Sequence, residues 1–455
     1  MAVFISFTTV SMFTVRSVLS KSIFNACQKF DGLITRPQMG NLREMMLGML
    51  LAKSVYLSVI GSQSAEEVTP RKSTERYARA LQTIDTDACA AQHAACTAQQ
   101  FRAEPVLILW DGGDMQKRHA WKMKYVCTTV DGSEGHKPGR GYPTFAAVAY
   151  GLHSGHQMPL CHHLYSTVHP DFRSVAREKE KCFGWMNPFF ASPQDRIVVS
   201  DRGDDDEKHF LFCLQELYCS FLTRINTGTK SRHLRVVRQG EIGDEPVSVQ
   251  EIASQMKGAA GAAKRWKNKK LKKALTSSIA YQEVRLPDHP TIPLFLVLLY
   301  TDGFEEPMVL LTDVEIADAE KAWTVFFWYK KRWEVENFFR AIKQEFSAES
   351  FLIRSFPAIR ALAFVMMLSY GLLRQMHTKA QELFAALIPA FHAYCRTWQR
   401  TKKSHMDLLH WLRKAWQDSP MTGVVSYRAW ARHMRCVLYA KPETETADFS
   451  PSEKW

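Results

Sequence analysis

Apolar positions recur at helical spacing from Gly40 to Val59, through Leu42, Met45, Met46, Met49, Leu50, Val55 and Leu57, and they predict an amphipathic helix. A second helical stretch is predicted over about Ser73–Ile84. Short helices with small connections and surface Arg and Lys fit a helical DNA-binding head, and they fit a plain helical bundle as well. The pattern then changes. Pro105–Trp110 (PVLILW) reads as a buried strand that ends on Asp111-Gly112-Gly113, an acid followed by a turn signal. Strand-like runs follow at Thr144–Leu152 and Met158–Tyr165, a helix at Ser174–Cys182, and a buried strand at Arg196–Ser200 that ends on Asp201-Arg202-Gly203. Glu207–Tyr218 is helical in pattern and Cys219–Ile225 strand-like. A hairpin-rich start followed by strand–helix alternation predicts a mixed sheet covered by helices.

From about residue 226 to 320 the alternation stops. Apolar strands are predicted at Leu234–Val237, Ile279–Leu286, Leu294–Tyr300 and Met308–Leu311, between turn-rich or charged segments, with a helix as the alternative over Ser248–Ala263. Helices then dominate to about Tyr439, and Lys441–Trp455 reads as a polar tail.

A net charge of +13 points to a polyanionic partner, nucleic acid or an acidic membrane surface. The most apolar runs, Met45–Leu51, Pro293–Tyr300 and Ala361–Leu373, are shorter than the ~18–20 residues a bilayer requires, so they read as core elements and no membrane is expected. The first thirty residues contain no acid and carry Arg16, Lys21 and Lys29. They imitate a transit peptide loosely, and an amphipathic helix of a DNA-binding head accounts for them better. The ten cysteines include no CxxC pair, which fits reduced thiols in the cytoplasm. Cys161-His162-His163, with His169 and Cys182 downstream, is the densest metal-like group, and no zinc spacing fits it.

Asp111 and Asp201 stand just past two apolar strands, where side chains converge in open α/β sheets. A third acid lies in a helical segment. With Tyr329 at zero and ~100° per residue, Arg332 falls near about −60°, Glu336 near about −20° and Lys343 near about −40°. Trp328, Val335, Phe339, Ile342 and Phe346 fall between about −80° and −140°, a neighbouring stripe. One helix can thus pack on the sheet while presenting Tyr, Arg, Glu and Lys along a cleft. A solvated face of i, i+4 pairs is the alternative.

Tyr329-x2-Arg332-x3-Glu336-x6-Lys343 resembles the signature of the DDE-class insertion-sequence transposases defined by that tetrad. Strand-Asp111-Gly and strand-Asp201-Arg-Gly resemble the same family's upstream acid motifs, in the same order, over about Arg36–Tyr370. One departure is Gly-Gly-Asp114 after Asp111, where the family more often has a hydroxyl residue; it leaves Asp114 as a possible helper or substitute. The resemblance implies an α/β fold: a ribonuclease H-like mixed sheet with a β-rich insertion, flanked by helical N- and C-terminal regions. Residues 1–100 would be a DNA-binding head, 101–225 the first part of the core, and 226–320 the insertion. Residues 321–375 would be the rest of the core and 376–455 a basic helical region with its tail.

It further implies that Asp111, Asp201 and Glu336 are catalytic and hold two Mg²⁺ or Mn²⁺ ions, hard cations that prefer carboxylate oxygens. Two such ions suit an in-line displacement at phosphorus. Tyr329, Arg332 and Lys343, with Arg202 and Arg340 nearby, would contact phosphates. The partners implied are double-stranded DNA (terminal inverted repeats and target) and a second copy of the chain, in a homodimer that pairs two ends. The setting would be the bacterial cytoplasm, on nucleoid or plasmid DNA. The route would be cut-and-paste, with a hairpin as one option. Basic patches agree with a DNA partner. Lys264–Lys273 holds seven basic residues in ten, among them Lys264, Arg265 and Lys267 around Trp266. Cys395–Cys436 holds nine Lys/Arg against two Asp, interleaved with tryptophans. Three rival readings remain: a ribonuclease H-like nuclease without strand transfer, a decayed transposase that only binds DNA, and a zinc protein built on Cys161, His162 and His163.

Overall fold

The computed structural model describes residues 12–64, 68–117, 120, 122–131, 137–191, 195–228, 231–261, 263–268 and 273–391. The basic, tryptophan-bearing segment Cys395–Cys436 and the polar tail lie outside the described residues.

Five helices come first: α1 (Met12–Cys27), α2 (Arg36–Ala52), α3 (Leu57–Gly61), α4 (Pro70–Thr83) and α5 (Thr86–Gln100). Leu19, Ile23 and Cys27 of α1 are buried, and the helix packs on α2. Thr35 and Gln38 close a reciprocal capping box at the start of α2. The helix expected over Gly40–Val59 is two helices. Lys53 adopts a left-handed conformation (φ 50°) and its N–H closes on the Met49 carbonyl, which ends α2 before α3 begins. Asp85 caps α5 by accepting the N–H groups of Asp87 and Ala88.

The sheet begins with β1 (Val106–Gln116), β2 (Cys127–Asp131), β3 (Lys137–Gly151) and β4 (Gln157–Leu164). After α6 (Val175–Trp185) and α7 (Asn187–Phe190) comes β5 (Arg196–Ser200), and after α8 (Glu207–Leu211) comes β6 (Ser220–Arg224). Strands β1, β3 and β4 form an antiparallel set, while β5 and β6 run parallel to β1, giving the order β4-β3-β1-β5-β6. Every residue of Val106–Trp110 and Arg196–Ser200 is buried, as expected of parallel strands covered on both faces. On one face Trp110 packs between Phe145 (5.0 Å between ring centres) and Phe183 of α6 (4.7 Å).

β1 does not end at Asp111. The pair Gly112-Gly113 that reads as a turn stays extended, because β3 pairs with β1 residue by residue as far as Gln116 opposite Gly141. Pairing with β5 stops at Leu109, which leaves that edge of β1 open beyond it.

Residues 226–320 continue the same sheet. They carry β7 (His233–Arg238), β8 (Glu241–Ile242), β9 (Val247–Ser248), α9 (Val249–Met256), β10 (Lys264–Asn268), β11 (Lys273–Leu286), β12 (His289–Thr301) and β13 (Met308–Thr312). β13 returns antiparallel beside β6, and β12, β11 and β7 follow outward. The Ser248–Ala263 alternative resolves as a helix over its first half, capped by the Ser248 hydroxyl.

The described residues close with α10 (Ala319–Lys331), α11 (Trp333–Arg340) and α12 (Phe356–Phe391). The apolar run expected to be too short for a bilayer is longer than its sequence suggests. Phe356–Met376 is long and apolar enough by composition, yet 89% of it is buried inside the fold, and α12 packs on β4, α2 and α4.

Two contacts fix these layers. Arg196, buried at the start of β5, donates to the carbonyls of Phe101, Glu104, Phe189 and Asp195. Gly113 lets α11 approach the sheet: a Cβ there would stand 2.9 Å from the Phe339 ring, whereas one at Gly112 would meet only Phe145 at an ordinary 3.7 Å. Arg196→Met should therefore cost about 3 kcal/mol or more by stranding buried carbonyls, read as an earlier urea or thermal midpoint. Gly113→Ala should cost about 1–3 kcal/mol through overpacking while Gly112→Ala stays near native, measured side by side in the same unfolding assay.

Candidate active site

Strand register brings the first two acids together. Leu109 stands beside Val199 in the parallel pair, so two residues further along each chain Asp111 and Asp201 become neighbours on one face, at the ~4.8 Å spacing of adjacent strands. β5 stops there because the Asp201 carboxylate accepts the Gly203 N–H at 2.8 Å and opens a single 3-10 turn, Arg202–Asp204. One strand over, Ser200 pairs with Thr223, which places Arg224 next to Asp201. Arg224 interacts electrostatically with Asp201, Tyr329 and Arg332. Sequence reasoning missed it. Its signal was available only by counting alternate residues across three strands at once.

Asp318 caps α10 by accepting the Lys321 N–H at 2.7 Å, and the helix delivers Tyr329, buried, in its last turn. The single straight helix expected from Tyr329 to Lys343 is broken twice. Arg332 stands at the junction between α10 and α11, and Ala341–Glu345 forms a wider π turn. Spacings of three and four still align Tyr329, Arg332 and Glu336. The Arg332 guanidinium donates to Asp111 Oδ2 at 2.7 Å and, through its other terminal nitrogen, to Glu336 Oε1. Burial pushes the Asp111 carboxyl up to about 7; Arg332 opposes that shift, while Asp201 and Glu336 add to it. Burial alone would lower the Arg332 pKa, yet Tyr329, Asp111, Glu336 and Asp201 together hold it above its usual value. Burial raises the Tyr329 hydroxyl, against the pull of Arg332 and Arg224.

Lys343 falls outside this cluster. The π turn re-phases the helix, and the ammonium sits 2.8 Å from Asp114 and 3.3 Å from Glu349. Asp114 thus has its own cation, and Asp111 is the acid beside Asp201. Arg202 is exposed in the turn after Asp201. Arg340 points outward and donates to Asn337. Lys264, Arg265 and Lys267 lie on β10. Lys264 engages Glu320, at the opposite end of α10 from Tyr329, and Arg265 is exposed. Trp266 is packed: its ring meets Phe326 edge-on, Lys330 lies over it at 4.0 Å, and its N–H donates to Ser277.

Strand alternation splits the Cys161-His162-His163 group. His162 turns towards Phe338, and His163 bonds Glu178 at 2.6 Å on the other face. Burial lowers His162 to about 4, so it is neutral. Among the described residues no three His, Cys, Asp or Glu side chains are placed to hold a metal. The zinc reading therefore finds no site there. At the carboxylates, it is Arg332 that stands between Asp111 and Glu336.

Nothing among curated proteins matches the chain. Among solved structures it is similar to the cryo-EM structure of the piggyBac transposase synaptic complex with hairpin DNA, at 10% identity, with a TM-score of 0.40, over 97% of this chain and 87% of that one. Residues 116–372 match the transposase DDE domain family. Asp201 and Glu336 fall within that stretch, which begins five residues after Asp111. Covering more than half of the sequence, this match shows that the chain belongs to the transposase DDE domain family.

Proposed function

We propose that the chain cuts DNA at the ends of an insertion sequence and joins them to target DNA by divalent-metal-dependent phosphoryl transfer, with Asp111, Asp201 and Glu336 as the catalytic carboxylates. The observation that carries this is the convergence of three acids, distant in the chain, on one guanidinium. The strand order β4-β3-β1-β5-β6, antiparallel then parallel, supports a ribonuclease H-like core. The spacing of Tyr329, Arg332, Glu336 and Lys343 supports the insertion-sequence branch that carries this tetrad.

By donor chemistry the three carboxylates suit Mg²⁺ or Mn²⁺, which they would hold once Arg332 moves off Asp111 and Glu336. Three carboxylates offer only hard oxygens. Arg332 and Arg224 stand among the three acids, and burial is the main cause of the upward shift of Asp111. When bound, the ions supply charge neutralisation to an in-line displacement at phosphorus. The protein's part is positioning. Arg332, held by carboxylates in this arrangement, turns its two-pronged donor edge to a phosphate near the scissile bond. Tyr329 and Arg224 pack behind it and fix where that phosphate sits. Lys343, tied to Asp114, offers a point charge about two turns beyond Glu336. Two copies of the chain would pair two element ends, on bacterial chromosomal or plasmid DNA. In this reading residues 1–100 form the DNA-binding head and 226–320 the insertion.

The test is strand cleavage of a duplex carrying the element's own end, in Mg²⁺ or Mn²⁺, by the native chain and by Glu336→Gln. The native chain should cleave. The variant should retain DNA binding and lose cleavage by about a hundredfold or more. Undiminished cleavage by the variant removes Glu336 from the chemistry, and binding without cleavage by the native chain makes it a DNA-binding protein only.

A further inference from the structure

Beside the carboxylates lies a second feature that the chemistry does not use. A groove of about 740 Å³ separates the N-terminal helices from the core. Leu57 and Ala78 of α3 and α4 line one wall, and Lys122, Lys124, Leu352 and Arg354 the other. Lys122, Lys124 and Arg354 are exposed, and none of them forms an ion pair among the described residues. No acid is among the residues lining the groove. The basic character continues outward along α4, where Lys72 and Arg79 are exposed and Arg71 pairs with Glu75. Leu352, 71% exposed, adds an apolar surface between the cations.

The far wall is fixed to the end of β1. Glu349 accepts the Gln116 N–H at 3.0 Å, Lys117 donates to the carbonyls of Glu349 and Phe351, and the Lys124 N–H donates to the Arg354 carbonyl at 3.1 Å. Gln116 is five residues along β1 from Asp111, a run of roughly 17 Å at ~3.4 Å per residue. The far wall of the groove is thus tied to the strand that carries Asp111. Cations on the rim with apolar atoms between them suit a sugar–phosphate strand, where charged oxygens alternate with sugar carbons.

We propose that this groove, tied to the strand that carries Asp111, holds the phosphate backbone of the element's end. The inference rests on the transposase reading above for the identity of the duplex, and on the groove's own charge for its ligand. The experiment compares the full-length native chain, K122Q/K124Q/R354Q and Glu336→Gln, each titrated with a duplex carrying the element's own end over a series of salt concentrations. Phosphate-ethylation interference is mapped on the same duplex. The triple variant should bind about tenfold more weakly, and its slope of log K against log salt should fall by about 2–3. Interference should disappear at the phosphates these side chains contact and persist at those beside the cut. Its thermal midpoint should stay native, because all three side chains are exposed. Glu336→Gln should keep the native slope.

A triple variant with native affinity, slope and interference overturns the proposal, and an acidic protein segment would then be the better ligand for the groove. Failure of the native chain to bind the duplex overturns this proposal and the transposase reading together. Loss of slope in the triple variant, with native cleavage by Glu336→Gln, keeps the groove and removes the triad.

Discussion

The arrangement turns on one guanidinium between carboxylates. Asp111, Asp201 and Glu336 come from positions far apart in the chain, and all are at least partly shielded from water. Two like charges ~5 Å apart at an effective dielectric near 20 repel by about 3 kcal/mol. Left alone, they would push the helix bearing Glu336 away from the sheet bearing the other two. Arg332 prevents this from within the same helical segment. It stands four residues before Glu336, and its fork satisfies that residue and Asp111 at once. A lysine, with a single point charge, could not bridge the two in this way. The same fork matches a phosphate, so the group that holds the carboxylates together is also suited to the substrate.

That bridge works only because the sheet has already made two choices. β5 stops at Ser200 while β1 continues, and so Asp201 turns out beside Asp111 on an edge free of further pairing. The absence of a Cβ at Gly113 lets Phe339 lie directly on β1 and sets the height of α11 above the sheet. Register fixes the acids laterally, and the glycine fixes the third acid vertically. Arg224 follows from the same register as Asp201, one strand further.

Much of this was legible in the sequence where local pattern and burial agree. PVLILW and RIVVS read as strands because both faces are buried, and the Asp201-Arg-Gly turn follows from a carboxylate's preference for capping the N–H two residues on. The features that did not show are those set by distant partners. Gly112-Gly113 carries a turn signal, and only pairing with β3 keeps it extended. The break at Arg332 has neither Gly nor Pro to announce it, and the π turn at Ala341–Glu345 leaves the amphipathic pattern nearly unchanged. Strands β11 to β13 were visible as strands, but their return to the edge of β6 is a non-local pairing that no window of sequence contains. The apolar stretch Ala361–Leu373 is only the most apolar part of a far longer helix.

The π turn separates two pairs of charges. On an unbroken α-helix Lys343 would lie on the same stripe as Glu336, about two turns further on. The wider turn rotates Lys343 onto Asp114 and Glu349, so that each acid of β1 has its own cation. The turn is also anchored from outside. Lys53, the residue whose left-handed conformation ends α2, reaches Glu345 at 2.5 Å, and Glu349 is held by the Gln116 N–H. One local distortion is thereby tied at one side to the N-terminal helices and at the other to the strand that carries Asp111. The same turn that sets Lys343 apart from Arg332 therefore also fixes the end of the Glu336 helix against both the N-terminal helices and the sheet.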